Sequence, residues 1–128
     1  MTEPVACCGL CPRLAEFRAD NRRIFPDFFN APVPCFGDPD PWLAIVGLAP
    51  GLKGANATGR PFTGDFAGEL LFHTLIDLGF ARGTYAARID DGMTLVGARI
   101  VNAVRCVPPQ NKPDASEIRT CNRFLAAE

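Results

Sequence analysis

The sequence predicts an α/β protein, and three features carry that reading. A continuous apolar run, Trp42 to Val46, and a second stretch within Gly92 to Val107, centred on Ala98 to Val104, read as buried strands. Segments with helical spacing alternate with them, at 12–24, from Phe66 to Leu78, and from Asp114 onward. Both runs break into glycine or proline, at Gly47 and Pro50-Gly51 after the first and at Pro108-Pro109 after the second.

Each element has its own justification. Residues 12–24 place Leu14, Phe17 and Ile24 on an apolar side, with Arg13, Arg18, Arg22 and Arg23 as the basic remainder. Phe25 to Pro41 is rich in Pro, Asp, Asn and Gly and reads as a long ordered loop. A run as uniformly apolar as Trp42 to Val46 suits a strand buried on both faces, as in a parallel sheet covered by helices. Gly51 to Gly64 is glycine-rich and polar, hence loop. In Phe66 to Leu78 the apolar side is Leu70, Leu71, Leu75 and Leu78, and Gly79 is the stop. Asp114-Ala-Ser-Glu117 opens a last helix through Ile118, Cys121 and Leu125, with no stop signal before Glu128. Two good strands are few for a complete doubly wound sheet, so the expectation is one shortened domain over 1–128.

Composition narrows the class. A chain of 128 residues allows one domain, and 48% hydrophobic residues exclude a disordered one. No apolar run is long enough to cross a bilayer. Met1-Thr2-Glu3-Pro4 has no basic stretch followed by an apolar region, so the expectation is a cytoplasmic protein without a membrane partner. A net charge of −1 gives no overall pull toward nucleic acid. Any such binding needs a local patch, for which Lys53, Arg60, Arg105 and Lys112 are candidates.

Six cysteines in a cytosolic chain point to metal or cluster ligation rather than disulfides. Cys8 and Cys11 form C-x-x-C, a spacing that offers two thiolates to one centre from a tight turn. Cys7 with Cys11 is an alternative that spacing leaves open. Cys106 follows the second strand and Cys121 lies on the last helix. This second pair is more open than a zinc knuckle, which suits an iron–sulfur cluster better than zinc. Cys35, alone in the proline loop, reads as structural.

The loop after the first strand runs Gly47-Leu-Ala-Pro-Gly51, then Thr58-Gly-Arg-Pro-Phe-Thr-Gly-Asp65. The carboxyl end of a parallel strand is the usual ligand position in α/β sheets. Neither the Walker loop nor the dinucleotide fingerprint is present. With Val101-Asn-Ala-Val-Arg-Cys-Val-Pro-Pro109 and the four cysteines, these motifs resemble the type-5 uracil-DNA glycosylases over nearly the whole chain, Cys8 to Phe124. The related type-4 enzymes typically carry Glu where this chain has Leu48. The resemblance implies a uracil-DNA-glycosylase-like three-layer α/β/α fold with a central parallel sheet, here only its N-terminal portion. It implies a 4Fe–4S cluster on Cys8, Cys11, Cys106 and Cys121, which selects Cys8 over Cys7. It also implies a monomeric, nucleoid-associated repair enzyme that hydrolyses the glycosidic bond of uracil in DNA, with hypoxanthine as a further base. The family's later His-Pro-Ser segment has no counterpart here, and His73, within a helix, is given no role.

That resemblance assigns Asp65 as the catalytic carboxylate and Phe62 as the ring that stacks on a flipped base. An Asp ahead of a helix is also a good N-cap. Asn102 carries an amide able to read the O4 and N3–H edge of uracil. Backbone N–H groups at Leu48 and Ala49 are placed to stabilise charge on the leaving base. Asn56, Thr58 and Arg60 are expected either to touch phosphate or to support the loop. The competing readings are a non-catalytic iron–sulfur or zinc module that binds nucleic acid, and a nucleotide-binding α/β domain of another class.

Overall fold

The computed structural model describes residues 3–128; Met1 and Thr2, where the reading for an export signal began, lie outside the described residues. Helix α1 (Pro12–Ile24) leads through the proline loop to β1 (Phe36–Gly37) and β2 (Leu43–Gly47). The glycine-rich loop contains a short helix, α2 (Ala55–Thr58), ahead of α3 (Phe66–Asp77). A two-stranded ribbon, β3 (Ala81–Arg82) with β4 (Thr94–Leu95), precedes β5 (Ala98–Asn102) and α4 (Ala115–Ala126). No described helix is long and apolar enough to cross a membrane.

The principal sheet has the order β1-β5-β2 and is mixed rather than parallel. β2 runs parallel to β5 with Leu43 opposite Ala98 and Gly47 opposite Asn102, while β1 is antiparallel to β5. The expected all-parallel sheet is corrected by β1, which comes from the segment read as loop. Two residues carry no periodicity, and only pairing with Ile100 and Arg99 makes them a strand.

One face of this sheet is fully dressed. Ile100, Ile45 and Phe36 stand on it in register and pack with Phe72 and Leu75 of α3, together with Leu95 of β4 and with Tyr85 and Met93 from the segment between β3 and β4. On the other face Arg99 reaches Glu128, just beyond α4, at 2.7 Å, and Arg13 of α1 is bonded to Glu117 of α4 at 2.7 Å. β2 is nevertheless not buried on both faces, as its apolar run suggested. Trp42 is 77% exposed and Val46 54%, and β2 is an edge strand of the sheet among the described residues.

Two helix faces also differ from expectation. In α3 the buried positions are Gly68, Phe72 and Leu75, whereas Leu70 and Leu78 are exposed. In α1 they are Leu14, Arg18 and Asn21, and Ile24 is exposed. A buried arginine at the centre of an inward face means that α1 packs against acceptors, not only against hydrocarbon. The helix ends behave as read. Gly79 follows α3 in a left-handed conformation (φ 83°), and Asp114 with Glu117 forms a reciprocal capping box on α4.

Candidate functional site

A cavity of about 100 Å³ opens at the carboxyl ends of β2 and β5. All five residues assigned to base binding and catalysis lie on its wall: Leu48 and Ala49 from the end of β2, Phe62 and Asp65 from the glycine-rich loop, and Asn102 from the end of β5. Pro50, Gly51, Ala55 and Ala67 complete it. Sequence reasoning passed over Ala55 and Ala67, since a small apolar residue in a loop or a first helical turn gives no signal.

The close approach of these groups depends on two glycines. A Cβ on Gly47 would stand 2.4 Å from Asn102 Oδ1 and 2.7 Å from the Phe62 ring, so the amide and the ring meet only over a bare backbone. A Cβ on Gly68 would fall 1.6 Å from the Phe62 carbonyl oxygen, so α3 packs directly on the loop that carries the ring. Phe62 itself is held at φ 56°, a region a bulky residue adopts only when its surroundings impose it.

Asp65 is the N-cap of α3, with Oδ1 accepting from the Gly68 N–H at 2.9 Å. Its Oδ2 lies over the turn between Gly51 and Gly54. One oxygen therefore organises the helix while the other faces the cavity side of the loop. Asn102 is buried, and its amide has no side-chain hydrogen bond among the described residues.

The remaining polar residues of the loop hold it in shape. The Asn56 amide donates to Asn30 Oδ1 at 3.0 Å, and Thr58 Oγ1 donates to the Thr63 carbonyl at 2.9 Å. Arg60 is buried, with Nη1 and Nη2 each 2.9 Å from the Asp91 carboxylate. Its guanidinium lies 4.9 Å from the Phe36 ring centroid, 5.3 Å from Phe72 and 5.8 Å from Tyr85. Paired this closely, Asp91 is held well below the usual carboxylate range. Of the two expectations for Asn56, Thr58 and Arg60, support of the loop is the one observed. Arg105 is buried as well, which removes both arginines from the supposed basic patch and leaves Lys53 and Lys112 exposed.

A second cavity gathers Cys8, Cys11, Cys106 and Cys121, with Arg18 and Arg105 on its wall. Cys7 is not among its lining residues and is exposed. Burial pushes the Cys106 thiol up to about 11, against the opposing effect of Arg18. Burial and the neighbouring thiols Cys121 and Cys8 also raise Cys11. No three of the four sulfurs lie within 4.8 Å of one another. A single tetrahedral zinc needs sulfurs about 3.8 Å apart, given Zn–S bonds of about 2.3 Å. The wider set, with two buried guanidinium groups against it, fits a larger anionic group. Arg105 Nε and Nη2 are buried without a partner among the described residues, a further sign that this wall expects negative charge.

Glu3, Cys35 and Glu128 form the other cluster of potential ligands. Arg105 pairs with Glu3 and Arg99 with Glu128, so both carboxylates already have cations. Burial, then hydrogen bonds to Glu3 and Glu128, push Cys35 to about 12 and keep it a thiol. This group is an ion-pair network. His73 is exposed and lies 3.2 Å from Glu69, outside both cavities.

The fold and the first cavity define an α/β protein whose largely apolar pocket, with Asp65 and Asn102 as its polar side chains, sits at the carboxyl ends of two parallel strands, where open α/β sheets bind their ligands. The model of the Uracil DNA glycosylase superfamily matches residues 34–128, and the chain belongs to that superfamily. It is 40% identical to the type-5 uracil-DNA glycosylase of Thermus thermophilus, over 98% of this chain and 59% of that protein. Identity to the type-5 enzyme of Mycobacterium leprae is 41%, over 97% and 57% respectively. For the type-5 enzyme of Pyrobaculum aerophilum it is 38%, over 94% and 55%. The chain thus spans somewhat more than half the length of these relatives.

Proposed function

We propose that this sequence belongs to a type-5 uracil-DNA glycosylase, a monomeric enzyme that hydrolyses the N-glycosidic bond of uracil in DNA and leaves an abasic site. The observation that carries the proposal is the convergence of Leu48, Ala49, Phe62, Asp65 and Asn102 on one cavity. A base within a duplex is out of reach, so the nucleotide must swing out of the helix. In the cavity its ring stacks on Phe62, while the Asn102 amide donates to O4 and accepts from N3–H. As the bond from C1′ to N1 breaks, electrons pass to the base, and N–H groups at Leu48 and Ala49 stabilise the charge on O2. The sugar becomes cationic at C1′. Asp65 Oδ2 offsets that charge and orients the water whose oxygen bonds to C1′; the proton released from that water passes to Asp65, and the base anion is neutralised by a proton from solvent. Hypoxanthine also presents a lactam N–H beside a carbonyl, which brings it within the reach of the same amide.

In this reading the fold is the three-layer α/β/α arrangement of the superfamily, with α3 over one face and α1 with α4 toward the other. Cys8, Cys11, Cys106 and Cys121 hold a 4Fe–4S cluster, which when bound supplies a crosslink between the N-terminal segment and the β5–α4 region. The donor set fits, since thiolates are the ligands of such clusters. Cys121→Ser is expected to lose most of the bound iron and to unfold at lower temperature, because one anchor of a chain-spanning link is gone. Cys35→Ser is expected to keep its iron. Equal losses in the two variants would overturn the four-ligand assignment.

The test of function is abasic-site formation on a uracil-containing duplex, with this sequence carried in a chain of the relatives' length. Alkali-labile product at uracil and none at thymine is the expected result. Binding without any product would favour the non-catalytic module instead.

A further inference from the structure

We infer that Arg18 is a positioning residue for the cysteine-held cluster: it ties the Cys8 segment to Cys106 and keeps a positive charge on a ligand sulfur, setting the cluster's lifetime and reduction potential. The inference rests on the cluster reading above and goes beyond the four ligands.

Arg18 lies in the middle of α1 and is only 5% exposed. A guanidinium withdrawn from water requires compensating negative charge or a full set of acceptors. No carboxylate forms an ion pair with it among the described residues. Its partners are the Cys106 sulfur, 3.3 Å from Nη1, and the Cys8 carbonyl, 2.7 Å from Nη2. Both acceptors belong to cysteines of the four-cysteine cavity, and Arg18 itself lines that cavity, so its buried charge is directed at the place where an anionic group would be held.

The geometry has two consequences. The rigid fork spans two segments that are distant in sequence, each carrying a ligand, so it preorganises their spacing. An N–H donated to a ligand sulfur, and a cation beside it, both favour the more negatively charged state of a cluster and raise its reduction potential. Arg22, one turn further along α1, provides a built-in comparison. It is exposed and donates to the carbonyls of Asn30 and Ala6 at 3.0 Å and 3.2 Å, with no sulfur among its partners.

The experiment compares the unmodified chain with Arg18→Met, Arg18→Lys and Arg22→Met after reconstitution with iron and sulfide. Three quantities are read: iron and labile sulfide per chain, the rate of cluster loss in chelator, and the midpoint potential from the visible absorbance. Arg18→Met is expected to lose its cluster on the order of 10–100-fold faster, the range for removing a partner of a metal ligand, and to have a lower potential. Arg18→Lys is expected to keep a near-normal potential but still lose the cluster faster, since an ammonium cannot bridge both acceptors with the same geometry. Arg22→Met is expected to melt earlier with an unchanged potential. A normal lifetime and potential in Arg18→Met would overturn the inference. If that variant does not fold, a normal lifetime in Arg18→Lys would overturn it equally. Absence of iron and sulfide from the unmodified chain would defeat the cluster reading itself, an outcome visible without any variant.

Discussion

Asp65→Asn, in a chain of the relatives' length, is expected to slow uracil release in single-turnover assays by roughly 10²–10⁴-fold, the range for a positioned acid–base group. DNA binding should be nearly unchanged. The asparagine carbonyl can still accept from the Gly68 N–H, so α3 keeps its cap. What is lost is the negative charge over the Gly51–Gly54 turn. Asp65→Ala separates the two roles: it removes cap and charge together and should also lower stability by about 0.5–2 kcal/mol. A near-normal rate in Asp65→Asn would reduce Asp65 to a helix cap and move the catalytic carboxylate elsewhere.

Arg60→Met is expected to give the largest loss of stability, about 3–5 kcal/mol, because it leaves the Asp91 carboxylate buried without its cation. Chemical denaturation measures this directly. Asp91→Leu introduced with it should recover much of the loss, since an apolar pair removes both desolvation penalties. The pair also implies a pH dependence. Asp91 is held below its ordinary carboxylate range in the folded state, so its contribution is complete above an unfolded pKa of about 3.9 and declines as pH falls below that value. Arg60→Met should lack this acid-side loss. Additivity in the double variant would show that the two residues do not act as a pair.

Arg60 matters to the site as well as to the core. It stands two residues before Phe62, anchors the loop to the segment between β3 and β4, and packs against three aromatic rings. Tyr85, from the same segment, accepts a long hydrogen bond from the Gly64 N–H at 3.4 Å. The positive φ of Phe62 is thus held between Gly68 on one side and the Arg60–Asp91 pair on the other.

By itself the sequence was enough for much that is written in local chemistry, though not for α2, a single helical turn inside the Gly51–Gly64 stretch read as loop. The limits of α1, the start and stop of α3, the capping box of α4 and the glycine-rich turn after β2 depend on neighbouring residues and are found where they were read. The motif residues singled out from the sequence are brought together in space: Leu48, Ala49, Phe62, Asp65 and Asn102 line one cavity, and Cys8, Cys11, Cys106 and Cys121 another. Only the tertiary structure decided which helix faces turn inward, that β1 exists, and that β2 has an open side. Each of these depends on partners far along the chain. Ile24 looks apolar and is exposed, while Arg18 looks like surface and is buried, because a sulfur and a carbonyl wait for it. Arg60 likewise reads as a surface cation, until Asp91, 31 residues away in sequence, supplies its counter-charge. Periodicity reports hydrophobicity along one segment, whereas the burial of a charge is set by what the rest of the fold brings to meet it.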